Sequence, residues 1–259
     1  MPTFRLTLEY DGSDFHGWQR QPGQRTVEGE LRGALVRLGA TDVELTAAGR
    51  TDAGAHAHGQ VVGLRLERSW EPEALRRALN AALPRDALVR QVVPATEGFH
   101  ARRQAVSRTY RYLVVPRRAP VARRFAWEVP HEVDLGAMRD AARLLMGRHD
   151  FGGFGRSPRP GGSTVRTVRD VTVRRAAPAG GGDHLPVVVI EVTADAFLYG
   201  MMRTFAGALV AVGTGRLSRE ALARFLDSPA ARTATLTVAP ARGLHQWAVE
   251  YAAAHGEQP

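Results

Sequence analysis

Phe4-Arg5-Leu6-Thr7-Leu8-Glu9-Tyr10 alternates apolar and polar residues and runs into Asp11-Gly12, the pattern of a half-buried strand closed by a turn. Val27, Leu31, Ala34, Leu35 and Leu38 then recur at helical spacing, with Thr26 as N-cap and Gly39 as stop. Strand-like runs follow at Val43–Gly49 and His58–Leu66. A second helix opens near Pro72 and carries Leu75, Ala78, Leu79 and Ala82, and Leu88–Val93 makes a last strand. The order is strand, helix, strand, strand, helix, strand, and the second half repeats it. Tyr110–Val115, Val165–Arg174, Val187–Ala194 and Leu244–Tyr251 read as strands there. Asp134 begins a helix marked by Leu135, Met138, Ala142 and Leu145 that stops at Gly147, while Phe197–Val212 is apolar on nearly every side, as a buried helix is. Two βαββαβ units predict a tandem ferredoxin-like α+β architecture, with helices on one face of mostly antiparallel sheet. The N-terminal unit is expected over 1–103, the C-terminal unit over 104–252, and a tail over 253–259. A Pro/Gly-rich loop at Ala176–Asp183 joins two strands, and Gly152–Gly162 and a short Ser218–Leu226 helix read as insertions.

A chain with 44% hydrophobic and 24% charged residues buries a core rather than staying disordered. Its longest stretches without a charge, Ala53–Leu64 and Thr204–Gly215, fall well short of the ~20 residues a membrane-spanning helix needs. The N-terminus lacks the unbroken apolar run of a secretory signal, so no membrane partner and a cytoplasmic location are expected. Cysteine is absent, which excludes disulfides, thiol nucleophiles and thiolate zinc sites. Lysine is absent too, so all 35 cationic residues are arginine, and Schiff-base chemistry and the Gly-x-x-x-x-Gly-Lys phosphate loop are excluded.

The net charge is +9, and it is unevenly spread. Between Gly98 and Trp127 there is no acid but eight arginines: Arg102, Arg103, Arg108, Arg111, Arg117, Arg118, Arg123 and Arg124. A second group, Arg156, Arg159, Arg166, Arg169, Arg174 and Arg175, meets only Asp170. Clustered guanidinium groups suit phosphate because each makes two parallel hydrogen bonds to its oxygens. Nucleic acid is the expected partner.

Ala48-Gly49-Arg50-Thr51-Asp52-Ala53-Gly54-Ala55-His56-Ala57 is the window richest in chemistry. A strand ends here and the chain turns through Asp-Ala-Gly, which puts Asp52 on a loop at the sheet's end. If the strand stays extended that far, Arg50 and Asp52 share a face, and the arginine keeps the carboxylate ionised and oriented. Alternatively, Asp52 hydrogen-bonds its own turn. Spacing does not choose between the two.

This window resembles the active-site motif of the tRNA pseudouridine synthase A family, and the likeness extends along nearly the whole chain. Tyr10-Asp11-Gly12-Ser13 with Gly17-Trp18-Gln19-Arg20-Gln21 is similar to the family's N-terminal signature. Further matching pieces are Phe99-His100-Ala101-Arg102, Arg108-Thr109-Tyr110-Arg111-Tyr112, Leu145–Phe151, Ala196-Phe197 with Met202-Arg203 and Gly207, and Ala239-Pro240-Ala241-Arg242-Gly243-Leu244. One such piece is weak, but seven in order are specific. The resemblance implies a pseudouridine synthase fold with a central active-site cleft, and an isomerase without cofactor or metal that acts on uridines 38, 39 and 40 of tRNA as a homodimer. It also implies Asp52 as catalytic carboxylate, Arg50 and Arg203 as its ionic supports, and Tyr110 against the target uracil.

The chemistry asks for little beyond one carboxylate. It can attack C1′ of the ribose, add to C6 of uracil, or take a sugar proton and leave a glycal, and the sequence does not choose among these. The target base must leave its stack, and the ring of Tyr110 offers it a flat apolar surface; a strand residue packed in the core is the other reading of Tyr110. The chain departs from the family pattern at Ala55 (usually valine), Asp195 and Thr204 (commonly asparagine) and His245 (commonly aromatic). None of these removes the carboxylate, the arginines or Tyr110.

Weaker signals compete. His56 and His58 on one strand face would suit zinc, and with Asp52 are the candidates for a metal-dependent hydrolase, but no third ligand is visible at fitting spacing and locally satisfied histidines are the simpler reading. A non-catalytic RNA-recognition module would need a basic, glycine and aromatic run that is absent. Asp150-Phe151-Gly152 lacks any lysine to hold ATP phosphates, and no helix opens after Gly180-Gly181-Gly182 to make a dinucleotide site. Trp18 beside Arg20 is either an RNA-stacking ring or a residue buried against the first helix.

Overall fold

A computed structural model describes residues 1–176, 186–227 and 236–252. The glycines Gly180–Gly182, most of the expected 176–183 loop and the 253–259 tail lie outside the described residues. The chain is α+β, with mostly antiparallel strands and five α-helices among the described residues. Its elements begin β1 (Thr3–Tyr10), α1 (Val27–Arg37), β2 (Glu44–Ala47), β3 (His56–Arg65), α2 (Pro72–Ala82) and β4 (Ala87–Pro94). They continue with β5 (Ala105–Val115), β6 (Trp127–Glu128), α3 (Leu135–Ala142), β7 (Gly147–Asp150), β8 (Val165–Ala176) and β9 (Val187–Ala194). Last come α4 (Met201–Gly213), α5 (Arg219–Asp227) and β10 (Leu244–Tyr251). Two compact units result, one from Met1–Val106 with the stretch from Gln246 on, the other from Ser107–His245.

In the first unit the strand order is β4-β1-β3-β10, with β2 also paired to β3. β1 runs antiparallel to β3 and β4, and β2 antiparallel to β3. Side chains alternate faces along a strand, so Phe4, Leu6, Leu8 and Tyr10 of β1 point one way. They are buried with Leu31 and Leu35 of α1, Leu75 and Leu79 of α2, and Val89 of β4. Burying one such leucine contributes roughly 2 kcal/mol, and this face is the unit's main store of stability. The opposite face carries a smaller cluster of Val61, Ala48 and Ala101 with Phe99 and Tyr251. Local chemistry sets the helix ends. The Thr26 hydroxyl accepts the Gly29 N–H, Gly39 takes φ +80° just beyond α1, and Pro72 opens α2. Asn80 ties α2 to β4 by donating to the Val89 carbonyl (2.9 Å) and accepting its N–H (2.8 Å).

In the second unit the order is β5-β9-β8-β7, all antiparallel, and β6 adds a short parallel pairing to β5. Phe151, Phe154 and Phe205 pack edge to face, with Phe225 of α5 against Phe154. Asp134 caps α3 by accepting the Ala137 N–H.

Several expected boundaries move, the strand expected from Tyr110 beginning already at Ala105. The apolar stretch from Phe197 becomes helical only at Met201, because Tyr199 is used in an antiparallel bridge to Arg156 and Gly200 sits at φ +79°. The helix from Asp134 ends at Ala142, passes through a 3-10 turn at Arg143–Leu145, and gives way to β7, where Gly147 has φ +98°. β7 pairs with Val165–Val168 of β8, a polar strand that no alternation announced. β2 stops at Ala47 and β3 starts at His56, which leaves Ala48–Ala55 of the Asp52 window as a connecting loop and its last two residues in β3.

Candidate active site

Residues 48–55 link β2 to β3 as an irregular loop whose backbone is held at nearly every step. The Ala48 N–H donates to the Val61 carbonyl at 2.9 Å, and the Gly49 carbonyl accepts from the Gln60 amide at 2.9 Å. Gln60 is fully buried and is itself met by the Gln246 amide at 3.0 Å. The Thr51 carbonyl accepts the Trp18 N–H (3.1 Å), and its hydroxyl meets the buried Tyr10 phenol at 2.8 Å. The Ala55 N–H closes a turn onto the Asp52 carbonyl at 3.1 Å, with Gly54 at φ +78°, the left-handed conformation a type II turn needs at that place. The Gly54 N–H in turn donates to Phe15 at 3.2 Å.

The segment after β1 grips this loop from one side. A Cβ on Gly12 would lie 1.8 Å from the Ala55 carbonyl oxygen, and one on Gly17 only 2.6 Å from that of Thr51, so both positions require glycine for backbone contact. His56 is buried, its Nδ1 accepts the Gly12 N–H at 3.1 Å, and Asp11 Oδ1 stands 3.2 Å from the same nitrogen. Arg25 secures the far end of the segment. It makes a bidentate pair with Asp86 (2.8 and 2.9 Å), reaches Glu30 at 3.1 Å, and lies 4.2 Å from the Phe15 ring centroid. These hydrogen-bonded carboxylates push the Arg25 pKa up. Trp18 is buried in the core beside α1 rather than offered to a ligand.

Against that framework Asp52 is half-buried and Arg50 is exposed. β2 ends at Ala47, so Arg50 and Asp52 lie outside the paired sheet, on the loop that joins β2 to β3. Tyr10, Gly12, Gly17, Gln60 and Gln246 went unassigned from sequence. The Asp-Gly and Gly-Trp pairs near residues 11–18 were the available signal, since a glycine fixed beside a tight turn marks close backbone approach.

The other two candidates belong to the second unit. Tyr110 lies on β5 opposite Val192 of β9, is only 8% exposed, and meets the Phe197 ring edge-on with centroids 4.7 Å apart. Its neighbours are fixed: Arg108 Nη1 donates to the Asp195 carbonyl at 2.6 Å, Arg111 pairs with Glu191, and the Thr109 and Thr193 hydroxyls meet at 2.8 Å. Arg203, on the first turn of α4, donates from Nε to the Ala239 carbonyl at 2.7 Å, and Ala239 returns a backbone bond at 3.2 Å. The buried Tyr112 phenol donates to the Pro240 carbonyl at 2.6 Å. Burial pushes its pKa up, against the lowering charges of Arg203 and Arg242.

The departures from the family pattern have structural places. Asp195 Oδ1 accepts the N–H of Thr167 and of Ala196, work that an asparagine oxygen also does. The Thr204 hydroxyl donates to the Gly200 carbonyl within α4, and His245 is buried with Nε2 2.8 Å from the Phe125 carbonyl. Ala55 is buried under Gly12. His58 differs from His56 in environment, its ring 4.6 Å from that of Trp247. Among the described residues no three of His, Asp or Glu are grouped as metal ligands. A cavity of about 470 Å³ lies elsewhere in the second unit, between Trp127, Ala211, Leu217 and Phe225, with Arg216 and Arg224 on its wall; no candidate residue lines it.

Comparison with known proteins places these residues in context. A family model described as tRNA pseudouridine synthase matches residues 7–102 and 141–252. The tRNA pseudouridine synthase A of Methylobacterium sp. (strain 4-46) is 40% identical over 254 residues, 97% of this chain and 98% of that protein. That of Methylacidiphilum infernorum (isolate V4) is 41% identical over 251 residues, 96% of this chain and 95% of its relative. That of Sinorhizobium fredii (strain NBRC 101917 / NGR234) is 40% identical over 256 residues, covering 97% and 100%.

Proposed function

The chain belongs to the tRNA pseudouridine synthase family, and from that premise we propose that it isomerises uridine to pseudouridine at positions 38, 39 and/or 40 of the tRNA anticodon stem-loop, with Asp52 as the catalytic carboxylate. The observation that carries the assignment of Asp52 is the immobilised loop. Its backbone is fixed from β3, from the turn and from the 12–18 segment, yet Asp52 itself stays half-buried rather than sealed in the core. A nucleophile or base needs this kind of placement, because a misplacement of ~1 Å can cost on the order of a hundredfold in rate.

The reaction breaks the N1–C1′ bond, turns the uracil and forms a C5–C1′ bond. C5 gives up its proton and N1 ends with one, so composition and oxidation state are unchanged and neither cofactor nor metal has a step to perform. The Asp52 carboxylate serves by attack on C1′, by addition to C6, or by removal of a sugar proton, and each route demands it ionised at the start. Tyr110, its ring seated on Phe197, is the surface proposed for the flipped uracil. Arg50 and Arg203 supply positive charge in supporting roles. Arg203 is held by Ala239 at the start of α4, whereas Arg50 is exposed on the loop.

Several finer expectations join this reading. The order of elements supports two ferredoxin-like units, expected over 1–103 and 104–252 although the stretch from Gln246 packs with the first compact unit, in a pseudouridine synthase fold with a central active-site cleft. A cytoplasmic location and action on tRNA as a homodimer are proposed with the family assignment, and among the described residues no helix is long and apolar enough to cross a membrane. The test is direct: purified protein is incubated with bulk tRNA and pseudouridine is mapped by position. Conversion confined to 38–40 supports the assignment, and unmodified tRNA overturns it.

A further inference from the structure

Tyr199 is 57% exposed, although it stands between residues that are packed. Two positions before it Phe197 seats on Tyr110, and two positions after it Met201 begins α4 with its side chain buried. Its backbone is locked by an antiparallel bridge, with the Arg156 N–H donating to the Tyr199 carbonyl (3.1 Å) and the Tyr199 N–H to that of Arg156 (2.9 Å). A Cβ on Gly155 would lie 2.8 Å from both the Tyr199 carbonyl oxygen and Leu198 Cβ, so the two segments meet at backbone distance. The Arg156 guanidinium lies over the Tyr199 ring, 5.5 Å from its centroid.

The loop that brings Arg156 is rooted at both ends. The Phe151 N–H donates to Thr164 at 3.1 Å, Asp150 accepts from Gly152 at 2.9 Å, and Phe151 and Phe154 are buried. Beyond those anchors Arg156 and Arg159 are exposed, and no acid occurs from Phe151 to Arg169. A large exposed aromatic ring on a bridged backbone, with a guanidinium over it and an acid-free loop behind that guanidinium, has the chemistry of a stacking surface for single-stranded nucleic acid. A protein partner would instead look for a contiguous apolar patch, and the residues next to Arg156 are Ser157, Pro158, Arg159 and Pro160.

We propose that Tyr199 and Arg156 form a stacking platform for an unpaired base of the RNA substrate, a base other than the uridine that is isomerised. This rests on the reading of the chain as a tRNA-modifying enzyme and adds to it a second base contact. It sits on the same Ala196–Arg203 stretch that carries Phe197 and Arg203. The ring supplies a flat apolar face, the guanidinium reinforces the stack and meets phosphate, and the bridge removes the entropy cost of ordering either side chain's backbone.

The experiment uses the full chain and an anticodon stem-loop RNA carrying 2-aminopurine at one loop position at a time. At a platform position, wild-type protein is expected to quench the fluorophore. Tyr199→Leu is expected to abolish that quench and weaken binding about tenfold, while Tyr199→Phe and Tyr199→Trp retain both. Arg156→Gln is expected to weaken binding a few-fold and to reduce the slope of log affinity against log salt by about one. Both side chains are exposed, so melting temperatures should stay near wild type and show that folding is intact. Unchanged affinity and quench in Tyr199→Leu overturns the platform, as does a variant that loses only dimerisation. Wild-type protein that binds and quenches but makes no pseudouridine would sink the enzymatic reading and leave the platform standing.

Discussion

Asp52 sits on a loop that two glycines and a ring of backbone hydrogen bonds keep in one conformation, so its replacement should remove chemistry without collapsing the site. Asp52→Ala is expected to abolish pseudouridine formation while leaving tRNA affinity within a few-fold, measured by positional mapping and by filter binding. Asp52→Glu should fail as well, because the fixed backbone cannot retreat to absorb an extra methylene. Tyr110 divides ring from hydroxyl: Tyr110→Phe should keep turnover if stacking is its whole task, and Tyr110→Ala should lose both turnover and the packing on Phe197. Inactive Tyr110→Phe that still binds tRNA would give the hydroxyl a proton-transfer task. The roles proposed for Asp52, Tyr110 and Arg203 come from the resemblance to a family, and spacing by itself draws attention only to the Arg50–Asp52 window. What the sequence hid was the support. Gln60 reaches Gly49 and Tyr10 reaches Thr51 across breaks in chain order, and no local pattern encodes such a tertiary hydrogen bond.

The glycines facing the Asp52 loop turn that support into a prediction about elements. Gly12→Ala would drive a methyl into the Ala55 carbonyl, and Gly17→Ala would add strain at φ +83° to a 2.6 Å approach on Thr51. Each is expected to cost about 1–3 kcal/mol by thermal melting. Each should also lower kcat more than it raises KM, since the loop displaced is the one carrying Asp52. Helix α1 is readable because Thr26, Gly39 and the leucine spacing all agree, and β9 because its β-branched run and its length agree. Where such signals conflict, local pattern and structure part. The segment from Phe197 to Tyr199 is as apolar as the helix that follows, but Tyr199 is bridged to Arg156, remote in sequence, and the left-handed Gly200 delays the helix to Met201. Likewise β7 is polar and short, and it owes its existence to pairing with β8.

At the scale of the molecule, the charge of +9 is carried wholly by guanidinium groups, and its densest acid-free run holds Arg117 and Arg118, both exposed. If that run follows the tRNA backbone, replacing both with glutamine should weaken all tRNAs alike and shrink the salt slope by about one to two units. Pseudouridine formation on bound tRNA should be unaffected. An unchanged slope with a weakened dimer would assign the pair to contacts between copies of the chain. Chelator treatment is expected to leave turnover intact, and activity lost to chelation and restored by zinc would revive a role for His56 and His58. The clasp between the 12–18 segment and the Asp52 loop also bears on how the enzyme fails. The N–H groups of Gly12, Trp18 and Gly54 all donate across it, so none exchanges with deuterium until the clasp parts. Their exchange should therefore report one shared opening, easier than that of the β1 core. Warmed protein should then fall silent catalytically while its circular dichroism is still native, and recover on cooling.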